Sequence, residues 1–316
     1  MKIASVDIGT NTCNLLIADL SKDTGPEFIH KDKKAITLIN NLDYNKNNIS
    51  DNSIDRLVGV IHSYQNKISE IGAEKTIITA TSGIRSAKNK QHVINVLKEK
   101  TGLDVEVIDG QREAELVYTG VNNAIKLSDD PYIIIDIGGG SIEFIIGKSN
   151  EIIFKESFKI GVARILNTYK FSDPLNDKDL IIIEKILTDN LLDMLLLCKK
   201  LNVRCLVGSS GSYETFSDLI KYEFDLPKIR KTDPFNIIDI EYFFKIHQKL
   251  INYDYEQRKN MPGMEIIRVQ LIPIASVITN FIIRELDIKK IIQSNFSIKE
   301  GLIFDYISKN ILTERK

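Results

Sequence analysis

Apolar positions along this chain fall into short β-type runs separated by helical stripes. Tyr132 to Gly147 shows the pattern most sharply. Four apolar β-formers, Tyr132 to Ile135, run into Asp136, and a second β-rich run begins at Ile142 after Gly138, Gly139, Gly140 and Ser141. That spacing predicts a buried strand, a tight turn and an antiparallel return strand. Ser5 to Ala18 repeats the design near the N-terminus. Asp7 matches Asp136, Gly9 matches Gly138, and the return run Leu15 to Ile17 matches Phe144 to Ile146. Two copies roughly one domain length apart predict a duplicated fold, with domains over 1–125 and 126–316. A last helix, about 298–310, is free to pack back on the first domain.

Between and after the hairpins the pattern predicts the remaining elements. Glu27 to Ile39 reads as a strand whose Lys31, Lys33 and Lys34 suit a solvated edge. Asn40 to Asn52 is an Asn/Asp-rich loop, and Ser53 is placed to cap a helix with Ile54, Leu57, Val58, Ile61 and Ile68 on one face. A strand at Thr76 to Ala80, a helix at Gln91 to Lys100 and a strand at Val105 to Ile108 follow. Beyond the central hairpin come a strand over Glu151 to Phe158, a long helix over Asn176 to Leu201 and a strand over Val203 to Val207. Ile220 to Asp239, with Pro227 and Pro234, reads as an excursion. Helices then dominate to Leu286, before a strand at Ile288 to Ile292 and a helix from about Ile298.

Composition narrows the class. The 316 residues are 43% hydrophobic and 27% charged, with a formal net charge of −1. This is ample for a sizeable core and argues against a dedicated nucleic-acid partner. Three cysteines without metal-like spacing suit a reducing compartment. The N-terminus lacks the apolar run of a signal peptide, and the greasiest helical run, Leu191 to Cys198, is short and carries Asp193. The expectation is a cytoplasmic protein with no membrane partner.

Candidate chemistry gathers at the turns. Three glycines and a serine let backbone N–H groups converge with no side chain in the way, a nest for phosphate oxygens. Asp136 at its mouth would repel phosphate unless a cation such as Mg²⁺ lay between them. A hairpin whose glycines only satisfy turn geometry fits the same residues. Arg85, after the strand ending at Ala80, can offer a planar fork to a phosphate or form a surface ion pair. Glu113 and Glu115 lie where a strand, a glycine turn and a helix start meet. They can be capping acids or can orient a water. Gly208-Ser209-Ser210-Gly211-Ser212 opens a helix and suits either a phosphate or a cap.

In order along the chain stand Asp7-Ile8-Gly9-Thr10-Asn11-Thr12, Ala80-Thr81-Ser82-Gly83-Ile84-Arg85, Gly110-Gln111-Arg112-Glu113-Ala114, Asp136 to Glu143, Ile160-Gly161-Val162, Gly208 to Ser212 and Lys299-Glu300-Gly301. Together they resemble the exopolyphosphatase and guanosine pentaphosphate phosphohydrolase family, in the sugar kinase, actin and chaperone ATPase superfamily. The resemblance covers nearly the whole chain and implies two RNase-H-like α/β domains with an active-site cleft between them. It implies Glu113 as the base that positions water for attack on a terminal phosphorus. Asp136 and Glu143, with Asp7 assisting, fall on the acids associated with Mg²⁺ (or Mn²⁺). Gly138, Gly139, Gly140 and Ser141 match the phosphate cradle, joined by Thr10, Asn11, Thr12, Arg85, Ser209 and Ser210. The implied substrates are inorganic polyphosphate or the guanosine penta- and tetraphosphates of the bacterial stringent response, and a homodimer is compatible.

The chain departs from the family pattern in places. Arg112 stands where a first acid is usual, Arg268-Val269-Gln270 replaces Arg-Ala-Asp, Ala275 replaces a glycine, and Ser297-Ile298-Lys299-Glu300-Gly301 replaces Gly-Leu-Arg-Glu-Gly. These bear on substrate preference. Longer family members append helical domains after the point where this chain stops, which leads to an expectation of short polyphosphates as substrates. A non-catalytic alarmone sensor and an ATP-dependent kinase or ATPase are the competing classes.

Overall fold

A computed structural model describes residues 1–316 except 23–24, 39–47, 127–128, 228–232 and 312–316. It divides into two compact units, Met1–Gly120 with Ile298–Lys316, and Val121–Ser297. Each is a mixed α/β unit built on one sheet.

In the first unit, β1 (Lys2–Ile8), β2 (Thr12–Asp19) and β3 (Glu27–Ala35) form an antiparallel meander. Helix α1 (Asp51–Ile71) leads into β4 (Lys75–Ala80), α2 (Ser82–Arg85), α3 (Lys90–Thr101), β5 (Glu106–Val107) and α4 (Gly110–Ala124). The sheet order is β3-β2-β1-β4-β5, with β4 parallel to β1, the RNase-H-like arrangement. Being central, β1 is buried on both faces from Ile3 to Ile8, so that even its polar residues Ser5 and Asp7 are shielded from solvent.

Helix α1 begins earlier than its apolar stripe suggests. Its N-cap is Ser50, whose side chain accepts from the Ser53 N–H, and not Ser53, which lies inside the first turn. Gly72, left-handed at φ 75°, closes it with N–H bonds to the Ile68 and Ser69 carbonyls. The Asn/Asp-rich loop expected before the helix falls largely on 39–47, outside the described residues. Strand β3 stops at Ala35 because the N–H groups of Ile36, Thr37 and Leu38 turn to the carbonyls of Asn11 and Thr10 instead of continuing a ladder. It is the edge strand, yet Lys31 is more than a solvated guard, since its Nζ lies 3.0 Å from the carboxylate of Glu300, which is wholly buried.

The second unit repeats the plan. Strands β6 (Tyr132–Ile137), β7 (Ile142–Lys148) and β8 (Glu151–Phe158) form the meander. They are followed by α5 (Val162–Thr168), α6 (Asp177–Lys200), β9 (Cys205–Ser209) and α7 (Ser210–Glu223). After β10 (Phe235–Ile238) come α8 (Ile240–Asn252), α9 (Tyr255–Lys259), α10 (Ile272–Leu286) and β11 (Lys290–Ser294). The order β10-β11-β9-β6-β7-β8 has β9 parallel to β6 and β11 parallel to β9. The segment read as an excursion contains β10, an antiparallel addition to β11, and its residues 228–232 lie outside those described. No helix among the described residues is long and apolar enough to cross a membrane.

The final helix, α11 (Ile298–Tyr306), counts with the first unit. The Lys299 carbonyl accepts from the Ser5 hydroxyl of β1 at 2.8 Å, and Glu300 takes Lys31 and Lys299. Gly301 meets α4 so closely that a Cβ there would lie 1.9 Å from the Leu116 carbonyl oxygen. This sets the sign of a substitution. Ala in place of a mid-helix glycine normally stabilises by about 1 kcal/mol. Gly301→Ala should instead destabilise, by roughly 1–3 kcal/mol, because backbone must move. A urea melt that shifts to higher midpoint would refute the close packing.

Candidate active site

The two hairpins share one register at an offset that carries each residue of the first onto the second. Asp7 pairs across the ladder with Asn14, and Asp136 with Glu143. Both turns close alike, Gly9 N–H to the Thr12 carbonyl at 2.9 Å and Gly138 N–H to the Ser141 carbonyl at 3.0 Å. A Cβ at Gly9 or Gly138 would crowd that same acceptor, at 3.1 Å and 2.8 Å. Even the irregularity is repeated, at Ile17/Ala18 and at Ile146/Gly147. The correspondence drawn from sequence, Asp7 with Asp136 and Gly9 with Gly138, is the correspondence in space.

Each turn also has its carbonyls occupied. In the second unit the Gly138 carbonyl accepts from Val162 N–H at 3.1 Å and that of Gly139 from Arg164 N–H at 3.0 Å. The Gly140 carbonyl accepts from the Arg164 Nε at 2.8 Å. Gly161 lies directly beneath, where a Cβ would sit 2.5 Å from the Gly139 and Gly140 backbone. With acceptors drawn toward α5, the N–H groups of Gly139 and Gly140 donate to nothing among the described residues. That is the arrangement of an anion nest. The first turn is built the same way, its Thr10 and Asn11 carbonyls taken by Leu38, Ile36 and Thr37. Gly83 of α2 packs against it, 3.0 Å from the Thr10 Cα to an added Cβ.

The acids differ between copies. Asp7 accepts from the Asn14 amide at 3.1 Å, a neutral partner. Asp136 and Glu143, 7% and 2% exposed, are two carboxylates opposite one another. Hydroxyls serve both: Ser141 and Ser157 donate to Glu143 Oε1 at 2.7 and 2.6 Å, and Ser210 donates to Asp136 Oδ2 at 2.7 Å. Among the described residues no group of three or more His, Cys, Asp or Glu side chains gathers as a metal cage.

In the first unit, Glu113 lies in the first turn of α4 and is 8% exposed. Arg85, at the end of α2, donates to its Oε2 at 2.6 Å and to the Ile108 carbonyl at 3.1 Å. Arg85 is thus ion-paired, partly buried rather than on the surface, and its partner is the candidate base. Glu115 is different, half exposed and paired with Arg112. Asp109 is the cap here, accepting from the Arg112 N–H at 2.7 Å.

The third turn is less uniform than its sequence. Ser209 is wholly buried, with its hydroxyl toward the Phe296 carbonyl at 3.3 Å. The ring of Tyr213 fills the space a side chain at Gly208 would need. Burial, and then the nearby Asp136 charge, hold the Tyr213 phenol well above its ordinary pKa. Two arginines were not assigned a role from sequence. Arg164 pins the glycine turn. Arg268, from the altered Arg-Val-Gln triplet, lays its guanidinium over Gly211 at the start of α7, and its Nε is buried without a partner among the described residues. The next residue is held by buried Arg258, which donates to the Val269 carbonyl at 3.0 Å and to Asp173 at 2.7 Å. The altered triplet was the only signal in the sequence.

Comparison with known proteins identifies the fold and the family. The crystal structure of an exopolyphosphatase from Cytophaga hutchinsonii matches with a TM-score of 0.94 at 29% identity, over 98% of each chain. The Aquifex aeolicus Ppx/GppA family member shares the fold at TM-score 0.80 and 24% identity, over 100% of this chain and 99% of that one. A bifunctional 3-dehydroquinate synthase/phosphatase of Fusobacterium nucleatum is 35% identical over 180 residues, 54% of this chain and 27% of that protein. Against the first curated relatives it matches, the chain spans only about a quarter to a half of their length. The model of the Ppx/GppA phosphatase family matches residues 16–310, so this chain belongs to that family.

Proposed function

We propose that this protein hydrolyses phosphoanhydride bonds, releasing terminal phosphate from inorganic polyphosphate or guanosine pentaphosphate. The observation that carries the reading is Glu113, a buried carboxylate held by Arg85 at the first turn of α4. An ionised carboxylate fixed in orientation is what a general base for water requires. Once a substrate phosphate competes for the guanidinium, Arg85 can exchange one anion for the other. In the turn closed by Gly138 and Ser141, the Gly139 and Gly140 N–H groups supply donors for phosphate oxygens, and Thr10, Asn11 and Thr12 line the matching turn of the first unit. Ser209 contributes through the shape of the third turn, its hydroxyl being turned inward. Arg268 adds a cation over the start of α7.

Asp136 and Glu143 would hold Mg²⁺, with Asp7 assisting. The donor set fits: it is all oxygen, with two carboxylates opposite in register and hydroxyls around them. Mg²⁺ commonly takes one or two carboxylates and completes its shell with water and substrate phosphate, so a closed protein cage is not needed. When bound, it would offset charge on the phosphate oxygens.

Phosphate release from a panel of polyphosphates, guanosine pentaphosphate and ATP tests the reading. ATP turnover without polyphosphate or pentaphosphate turnover would favour a kinase or ATPase, and tight alarmone binding without phosphate release a sensor. Glu113→Gln should lower turnover by roughly 10²–10⁴-fold and leave substrate binding nearly intact. Loss in Glu115→Gln with near wild-type turnover in Glu113→Gln would show that the wrong carboxylate carries the role. Excess chelator should abolish release, and Asp136→Asn should raise the Mg²⁺ needed for half-maximal rate. Full activity in chelator refutes the metal requirement.

A further inference from the structure

Ser210 opens α7 with φ at 67°, in the left-handed region where a β-carbon is strained and glycine is relaxed. The strand-to-helix step does not demand this. In the first unit the equivalent step, from β4 into α2, passes through Thr81 at φ −110°, and none of residues 80–85 has positive φ. Nor is the adjacent glycine the hinge that relieves it, since Gly211 is needed for the Arg268 guanidinium lying on it. A serine is therefore kept where glycine would be more stable, and what serine adds is a hydroxyl. That hydroxyl donates to Asp136 Oδ2 at 2.7 Å, across the β6–β9 junction where Asp136 pairs with Ser209. Strain retained at one residue beside a buried acid is the pattern of a functional constraint.

We infer that Ser210 is a positioning residue, held in a strained conformation so that its hydroxyl sets the orientation of the Asp136 carboxylate for a divalent cation. This rests on the reading of Asp136 as a cation ligand and extends it to the group that aims it. Partners that orient metal ligands in this way typically govern affinity by about 10–100-fold.

Three variants separate the hydroxyl from the backbone. Ser210→Gly removes both hydroxyl and strain, Ser210→Ala removes the hydroxyl and keeps the strain, and Ser210→Thr keeps the hydroxyl and worsens the strain. Two quantities are read on the purified full chain: the melting temperature without metal, and the Mg²⁺ concentration that half-saturates the Mg²⁺-induced melting shift without substrate. Melting should follow backbone strain, with Gly above Ala and Thr lowest. The Mg²⁺ requirement should follow the hydroxyl, rising about tenfold or more in Gly and Ala and staying near wild type in Thr. A Mg²⁺ requirement that rises as melting temperature falls, highest in Thr, or that is unchanged in Gly and Ala, would overturn the inference. So would a wild type that shows no Mg²⁺-induced shift. Phosphate release by the wild type is scored separately: a protein that responds to Mg²⁺ as expected but cleaves no substrate removes the proposed hydrolysis and leaves the role of Ser210 decided.

Discussion

Every peptide unit carries an acceptor for each donor, so a loop can face an anion only if its carbonyl groups are bonded elsewhere. Both hairpin turns of this protein meet that constraint, and much of the local structure follows from it. The Thr10 and Asn11 carbonyls take three N–H groups from Ile36 to Leu38, which is why β3 ends at Ala35. The Gly138, Gly139 and Gly140 carbonyls take the Val162 and Arg164 amides and the Arg164 side chain, which determines where α5 starts. Gly161 is required there because the glycine turn rests on it, leaving no room for a side chain.

The two copies keep one backbone and differ in chemistry. Opposite Asp7 stands an asparagine, whose amide gives one oxygen of the acid a neutral donor. Opposite Asp136 stands Glu143, and two buried carboxylates side by side repel unless something positive or strongly donating intervenes. Three serine hydroxyls surround that pair, and hydroxyls can rotate as the charge nearby changes. The second hairpin is thus the more charged of the two, and the strained Ser210 belongs to it alone.

Glu113 and Glu115 illustrate how little residue type decides by itself. Both are glutamates at the start of α4, two positions apart, so the helix turns them to different sides. Glu113 is buried against Arg85, while Glu115 meets Arg112 on the surface. Ser209 and Ser210 part in the same way at the end of β9, one hydroxyl turned toward Phe296 and the other toward Asp136.

The amino-acid sequence by itself determined the two hairpins, the acids at their mouths and the glycines of their turns. Strand alternation, buried apolar runs and glycine at a tight turn are local requirements, satisfied within about a dozen residues and therefore readable in a line. It also placed most helices, erring where a cap lay one turn earlier, at Ser50, and where a four-residue strand hid between prolines and an aspartate. Only the tertiary structure decided the partners. Arg85 reaches Glu113 across 28 positions, and Ser210 reaches Asp136 across 74. Arg268 covers Gly211 from another segment, and Glu300 is buried beneath Lys31 of a strand near the other end of the chain. Such contacts are made where crossovers and packed helices bring distant segments side by side, and no spacing along the chain encodes which side chain will be found there.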